Sequence, residues 1–162
     1  MPTQNQIRES LTKQIVEHLQ SEKTPPWRRP WSLDKNAGAA TNIISKKTYR
    51  GINPLLLAIS SMRHGFQSKW WATFNQWKEM GGSVMRRPKD VPSGQWGTNI
   101  VFYRPITKTE VAPNGEEKES SYFLLRTFTV FNIDQVSGSH LDHLRVGHKD
   151  AQLDDQEVEQ RF

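Results

Sequence analysis

Residues 46–57 read KKTYRGINPLLL, a stretch that is basic in its first half and apolar in its second. Asn53 has a short side chain that can accept hydrogen bonds at a helix start, and Pro54 suits the first helical position, where its missing N–H is not needed. The apolar run predicts a buried helix that clamps the basic segment to the core, where four side chains would be held for a flat, anionic ligand. These are Lys46, Lys47, Tyr49 and Arg50. Alternatively, Tyr49 packs on the helix and the basic residues are only solvated.

The composition narrows the class of protein. The 162 residues suit one domain with a real core, and the formal net charge of +5 favours a polyanionic partner. Because cysteine is absent, disulfides, thiolate metal sites and cysteine nucleophiles are excluded. The sequence shows no signal peptide and no apolar run of membrane-spanning length, so we expect a soluble, cytoplasmic protein without a membrane partner.

Two capping-box patterns predict where helices begin. Thr3 and Gln6 have this spacing ahead of an apolar repeat every four residues over 7–19, which is typical of an amphipathic helix. Thr73 and Gln76 repeat the spacing ahead of a shorter helix, which Gly81-Gly82 would end. The buried helix after Asn53 lies between these two.

Strand signals dominate the second half of the chain. Residues 98–103 are rich in β-branched and aromatic residues, and Arg104-Pro105 should break or bulge that strand. Asn114-Gly115 predicts a tight turn, and residues 121–131 then form a long antiparallel strand. A short hairpin is predicted over residues 41–50. The pattern indicates an α+β fold, with helices packed on a small antiparallel sheet of three to five strands.

The predicted domain covers residues 1–136, and residues 137–162 read as a polar tail or linker because apolar residues become sparse there. His140, His143 and His148 have the spacing of metal ligands, but they fall in this polar segment without an evident supporting shell. We therefore expect no metal and no other cofactor. The sequence also lacks the H-E-x-x-H, P-loop and G-x-G-x-x-G motifs, so we do not expect an enzyme.

Cations alternate with aromatic residues at several places along the chain. This pairing favours single-stranded nucleic acid, because unpaired bases expose faces that can stack on aromatic rings while cations neutralise phosphates. No helix resembles one that would enter a duplex groove. Phosphate contacts are predicted for Arg28, Arg50, Arg86 and Arg87, and stacking for Trp27, Trp31, Tyr49 and Trp71. Arg29, Lys46, Lys47 and Phe74 belong to the same patches.

The order of several motifs resembles the N-terminal domain of the ArdC antirestriction proteins, relatives of the TraC-type primases of conjugative plasmids. These motifs are PW and PW within 26–31, YRGIN at 49–53, WATFNQ at 71–76 and VFNIDQ at 130–135. The resemblance covers residues 4–138. It implies a non-specific single-stranded-DNA-binding domain found on plasmids, phages and other mobile elements. It also adds the motif residues Asn53, Thr73 and Gln76 to the predicted DNA-binding set.

Full-length members of that family carry a zinc metallopeptidase-like domain with H-E-x-x-H after this domain, and this sequence has no such motif. The resemblance therefore implies the binding domain alone, with a metallopeptidase-like domain as its partner in a longer protein. Two other hypotheses remain open. In the first, the chain is a protein-interaction module that docks on a restriction enzyme or a conjugation partner. In the second, it is a metal-dependent enzyme fragment that uses the tail histidines.

Overall fold

Three helices and six strands make up the part of the chain that the structure, a computed structural model, describes: residues 3–21 and 33–147. The helices are α1 (Gln4–Ser21), α2 (Asn53–His64) and α3 (Phe74–Glu79). The strands are β1 (Thr41–Asn42), β2 (Trp70–Thr73), β3 (Ser83–Val84), β4 (Thr98–Val111), β5 (Glu117–Asn132) and β6 (Val136–Ser137), with 3-10 turns at Ile133–Gln135 and Ser139–Leu144. No helix in these two ranges is both long enough and apolar enough to cross a bilayer.

The main sheet has four strands in the order β1-β2-β5-β4, and β3 pairs with β6 in a separate two-stranded sheet. The α+β fold is therefore confirmed, but the main sheet is mixed, because β1 runs parallel to β2. The connection that contains α2 returns the chain to the same end of the sheet, as a parallel pair requires. The hairpin predicted over 41–50 reduces to a single antiparallel bridge between Thr41 and Thr48.

Helices α1 and α2 cover one part of the long strand pair formed by β4 and β5. Ile7 of α1 and Leu56 of α2 pack against Val101 and Leu125 in one buried cluster. The neighbouring cluster contains Leu57, Phe66, Trp71, Ile100 and Val130, and a third surrounds the fully buried Trp77. The helix predicted after Pro54 is thus buried, and it fixes the residues before it to the core.

The strand pair β4–β5 extends beyond the rest of the sheet as a two-stranded ribbon. The predicted turn at Asn114-Gly115 joins the two strands, with Gly115 at φ 82°, in the region where glycine has no steric penalty. The predicted break at Arg104-Pro105 is wrong, because β4 continues and Pro105 stands opposite Phe123.

The reason lies in the position of β4 at the edge of the sheet. The N–H and C=O of Val101 bond to the side chain of Asn53, at 2.8 Å each, and therefore point away from β5. Backbone groups alternate in direction along an antiparallel strand, so Pro105, four residues later, also faces the open edge. Its missing N–H costs no bond to β5, which is the condition under which proline is tolerated in a strand.

The helix termini agree with the sequence except at Asn53. Both capping boxes are confirmed, Thr3 with Gln6 in α1 and Thr73 with Gln76 in α3. At α2, Ile52 occupies the cap position without a side-chain hydrogen bond, so the expectation that Asn53 caps this helix is wrong. The side-chain amide of Asn53 instead bonds to the backbone of Val101 at the edge of β4.

The domain extends past residue 136, which corrects the boundary predicted from the sequence. Leu141 and Leu144 lie in the cluster around Trp77. The Arg145 guanidinium donates to the carbonyls of Ile133 and Val136, which ties this segment to the end of the sheet. Residues 137–147 are therefore packed against the domain, and the rest of the predicted tail, 148–162, lies outside the described residues.

Candidate nucleic-acid interface

Two adjoining grooves lie where the ribbon leaves the sheet. Thr73 at the end of β2 pairs with Val130, and beyond this point β5 continues alongside β4. The ribbon, the 42–51 loop and the start of α3 enclose grooves of about 480 Å³ and about 870 Å³. Both grooves are lined by Asn42, Tyr49, Gln76, Phe102 and Tyr103, so they form one continuous surface.

Four of the ribbon side chains that line the grooves, two aromatic and two cationic, share one face of the ribbon, whereas Tyr103 lies on the other face, opposite Leu125. Directly opposed residues of an antiparallel pair share a face, and here Ile100 opposes Phe128 while Phe102 opposes Arg126. The rings of Phe102 and Phe128 meet edge to face, with centroids 5.3 Å apart. They remain 47% and 44% exposed, so each can offer part of its ring to a ligand.

Backbone bonds hold the 42–51 loop in place beside the ribbon. The Asn42 side-chain carbonyl accepts the N–H groups of Ile44 and Ser45, both at 3.0 Å. Lys46 follows in the left-handed region at φ 59°, an unusual conformation for a residue other than glycine. The N–H of Tyr49 then donates to the carbonyl of Ala40 at 3.0 Å, which returns the chain toward the sheet. The loop is therefore fixed by its own hydrogen bonds.

A hydrogen-bond network joins this loop to α3 across the groove. Asn42 Nδ2 donates to the Tyr49 hydroxyl at 3.2 Å and to Gln76 Oε1 at 3.1 Å. Gln76 Oε1 also accepts the N–H of Thr73 at 3.0 Å, as part of the capping box of α3. Burial raises the pKa of Tyr49 above its ordinary value, and the hydrogen bond from Asn42 partly opposes this shift.

The lining of the two grooves is cationic and aromatic. The cations are Lys46, Lys47, Arg50, Arg104 and Arg126. The aromatic residues are Tyr49, Phe102, Tyr103 and Phe128. Among the residues that the structure describes, no aspartate or glutamate lines either groove. Such a surface can neutralise phosphates and stack against bases, the two interactions that single-stranded nucleic acids offer.

The structure brings together six of the residues that the sequence predicted for DNA binding. They are Lys46, Lys47, Tyr49, Arg50, Thr73 and Gln76. Asn53 also lines the larger groove, but its side chain is 4% exposed and both amide atoms already bond to Val101. We therefore assign Asn53 to the support of the groove wall.

Other predicted residues lie elsewhere. Trp71 is 1% exposed within the core, so the expectation that a base stacks on it is corrected: its ring has no free face. Phe74 is exposed on α3 but does not line the two grooves, and Arg86 and Arg87 lie in the loop after β3. The predicted residues Trp27, Arg28, Arg29 and Trp31 lie outside the described residues.

Sequence reasoning missed the residues that the ribbon contributes. They are Phe102, Tyr103, Arg104, Arg126 and Phe128. The strands were predicted from the sequence, but these five side chains were not among the predicted DNA contacts. The signal was present, since aromatic and cationic residues occupy alternate positions at 102 and 104 and again at 126 and 128. A period of two places such residues on one side of a strand.

Residues 5–131 match the family model described as the N-terminal domain of anti-restriction factor ArdC. The chain belongs to the ArdC family. The family model describes an antirestriction domain and does not describe an enzyme family. Two curated relatives of this ArdC-family chain were found. The uncharacterized protein y4eC of Sinorhizobium fredii is 29% identical over 141 residues, which is 84% of this chain and 43% of the relative. DNA primase TraC of Escherichia coli is 28% identical over 149 residues, which is 85% of this chain and 10% of the primase.

Solved structures of the antirestriction ArdC protein from plasmid R388 resemble this ArdC-family domain. The metal-free structure superposes with a TM-score of 0.56 at 32% identity, and the Mn(II)-bound structure with a TM-score of 0.52 at 28% identity. Each comparison covers 80% of this chain and 40% of the R388 protein. The chain thus spans less than half the length of the relatives it matches.

Proposed function

We propose that this ArdC-family domain binds single-stranded DNA without sequence specificity along the two adjoining grooves. The observation that carries the proposal is the lining itself, in which five cations and four aromatic residues occur without a carboxylate among the described residues. The cations would neutralise successive phosphates. The bases would stack on the aromatic rings, and each stacked base would contribute about 1–3 kcal/mol of binding free energy.

The exposed rings favour a single strand over a duplex. Phe102, Tyr103 and Phe128 are each between 44% and 59% exposed, and only an unpaired base can present its face to them. A protein that reads a duplex usually places a helix or a strand pair in a groove. Here α2 is buried against the sheet and α3 has only six residues, so neither helix is suited to that role. The ribbon itself is a strand pair, so its preference for a single strand rests on the exposed rings alone, and duplex DNA is the competitor that tests it.

The proposed contacts differ from those predicted from sequence. Arg50, Arg104 and Arg126 would contact phosphates, with the two loop lysines beside them. Tyr49 and Phe102 would stack, with Phe128 against the edge of Phe102. The contacts predicted for Phe74, Arg86, Arg87 and the 27–31 segment remain predictions, and the residues on the loop after β3 would extend the bound strand beyond the grooves.

The test is a fluorescence-anisotropy titration of labelled oligo(dT) at several salt concentrations. For single strands, log K falls with log[salt] by about 0.7 for each phosphate neutralised, so five contacts give a slope of about −3.5. Affinity should then fall roughly 100-fold between about 50 and 200 mM salt. Duplex DNA of equal length serves as the competitor, and equal or tighter binding to duplex would refute the strand preference.

A pair of matched variants locates the contact surface. Arg126→Gln removes one cation from the groove and should make the salt slope less steep by about 0.7. Lys118→Gln removes one cation near the tip of the ribbon, which does not line the grooves, and should leave the slope unchanged. If the two variants give the same slope, the grooves are not the binding surface.

We further infer that the domain is a non-catalytic part of a longer cytoplasmic protein, where its partner is a metallopeptidase-like domain. The support is the length of the relatives, since the R388 protein is covered over only 40% of its chain. In such a protein the grooves would hold the DNA strand during antirestriction. A version of the longer protein with Arg126→Gln and Arg50→Gln should lose protection of incoming DNA while it remains folded.

A further inference from the structure

Two backbone N–H groups fix which end of the Asn42 side-chain amide faces the groove. Asn42 Oδ1 accepts the N–H groups of Ile44 and Ser45, both at 3.0 Å, so the carbonyl end of this amide is committed to its own loop. The amino end must then face the groove. Its two hydrogens are used by the Tyr49 hydroxyl oxygen, at 3.2 Å, and by Gln76 Oε1, at 3.1 Å.

The two groups that accept these hydrogens, the Tyr49 hydroxyl and the Gln76 amide, also carry hydrogen-bond donors of their own. A hydroxyl that accepts from Asn42 directs its own hydrogen elsewhere. Gln76 Oε1 accepts from both Asn42 and the Thr73 N–H, at 3.1 Å and 3.0 Å, which fixes the amide so that Nε2 turns away from them. Within residues 3–21 and 33–147, neither the Tyr49 hydroxyl hydrogen nor Gln76 Nε2 has a protein acceptor. The groove wall therefore presents hydrogen-bond donors.

We propose that this wall reads one unpaired base through its carbonyl oxygens, with the Tyr49 hydroxyl and Gln76 Nε2 as donors. The inference rests on the proposed single-stranded DNA binding, which is otherwise independent of sequence, and adds discrimination against one base at a single position of the groove. Thymine, cytosine and guanine each carry at least one carbonyl oxygen, whereas adenine carries none and instead presents an exocyclic amino group. Adenine still has the ring nitrogens N1 and N7 as acceptors, but each of them stands beside the amino donor. Adenine can therefore pair with only one of the two donors of the wall and leaves the other unpaired, so it is the base that the groove disfavours.

Two further features of the groove support this reading. Burial raises the pKa of Tyr49, so its hydroxyl keeps the proton, and with it the ability to donate, throughout the neutral range. The same groove is lined by Phe102 and Phe128, whose edge-to-face contact leaves ring surface for the base whose edge meets the donors. At this position a base could stack on an aromatic ring while its edge accepts hydrogen bonds from the two donors.

The experiment compares the dissociation constants of oligo(dA) and oligo(dT) of equal length for three proteins: wild type, Tyr49→Phe and Tyr122→Phe. Oligo(dA) stacks on itself, so the readout is the change in the dA/dT ratio of dissociation constants between proteins. Wild type should bind oligo(dT) more tightly, and Tyr49→Phe should reduce the ratio by about three- to tenfold, the effect of one lost hydrogen bond. Its affinity for oligo(dA) should stay within about twofold because the ring remains.

Tyr122→Phe is the matched control, because it removes the same hydroxyl from an exposed tyrosine that does not line the grooves. Its ratio should equal that of wild type. An equal loss of affinity for both strands in Tyr49→Phe, or an unchanged ratio, would overturn the proposal. So would the same change of ratio in Tyr122→Phe.

A probe that leaves the protein intact covers the case in which Tyr49→Phe does not fold. Oligo(dU) retains both carbonyl oxygens of thymine and lacks its methyl group, so wild type should bind it like oligo(dT). Binding like oligo(dA) would mean that the methyl group is recognised, and the carbonyl proposal would be rejected. If wild type binds no oligonucleotide at all, the proposed function itself fails. Salt-dependent binding with equal affinity for dA and dT rejects only the base preference.

Discussion

Asn53 provides the sharpest test of the difference between a DNA contact and a structural support. Its side chain is 4% exposed, and its amide bonds to both the N–H and the C=O of Val101 at 2.8 Å. The amide thus replaces a neighbouring strand at the edge of β4. The substitution Asn53→Ala would remove both partners at once and leave two backbone groups of Val101 unpaired.

The expected loss follows from these two bonds. A buried polar group left without a partner costs about 1–3 kcal/mol. Two unpaired groups would therefore cost about 2–6 kcal/mol together. Because Asn53 also lines the larger groove, through which water can reach the vacated position, we expect the lower half of that sum, about 2–4 kcal/mol. With a urea dependence of about 2 kcal/mol per molar, the unfolding midpoint should fall by roughly 1–2 M.

The assay is urea unfolding followed by tryptophan fluorescence, combined with oligo(dT) titration in the absence of urea. Asn99→Ala is the matched control, because Asn99 is exposed on the same strand and, within the described part of the chain, its side chain bonds only the Thr129 hydroxyl. The control should lose less than about 1 kcal/mol. The reasoning would be refuted if Asn53→Ala kept the wild-type midpoint and yet lost affinity for the oligonucleotide, because Asn53 would then be a DNA contact.

Two further substitutions test the packing and the pH dependence of the fold. Gly97→Ala would place a Cβ in contact with the Thr129 side chain and 3.1 Å from the ring of Phe131, so we expect a loss of about 1–3 kcal/mol in urea unfolding, while Ser93→Ala in the exposed loop should have almost no effect. Burial raises the pKa of Tyr49, so the folded state keeps this proton to higher pH than the unfolded chain does. The associated stability is complete below about pH 10 and is lost as the pH rises through the folded pKa. Unfolding midpoints measured from pH 9 to 11 should therefore fall more steeply for wild type than for Tyr49→Phe, and parallel curves would contradict this account.

Features that depend on a few adjacent residues were predictable from the sequence. The capping boxes at Thr3 and Thr73 were confirmed, because both partners of each bond lie three residues apart. The turn at Asn114-Gly115 was confirmed for the same reason. The α+β class also follows from local patterns, since each pattern predicts its own element.

Features that depend on distant partners were not predictable in the same way. The local sequence around Asn53 is that of a helix cap. Its actual partner, Val101, is 48 positions away, so no local pattern could reveal it. The break expected at Pro105 disappears once β4 is known to lie at the sheet edge. Trp71 could have faced either side of its strand, and only the register of β2 against β5 places it in the core.

Of the two sides of the candidate site, the loop was predictable from the sequence and the ribbon was not. The loop side, with Tyr49 and Arg50, was visible as a basic stretch anchored by an apolar helix. The ribbon side was not, because the exposed face of a strand is defined by what covers the other face. Here α1 and α2 cover Val101 and Leu125, whereas Phe102, which points to the opposite face, remains 47% exposed.

The open side of β4 is also an edge at which a second chain could pair. A bare strand edge is a template on which another chain can add a strand, and repeated addition leads to aggregates. On β4 the side chain of Asn53 occupies the donor and acceptor of Val101, and Pro105 removes the outward donor four residues later. At these two positions an incoming strand finds no free donor, which makes this edge of the ribbon a poorer template for a second molecule.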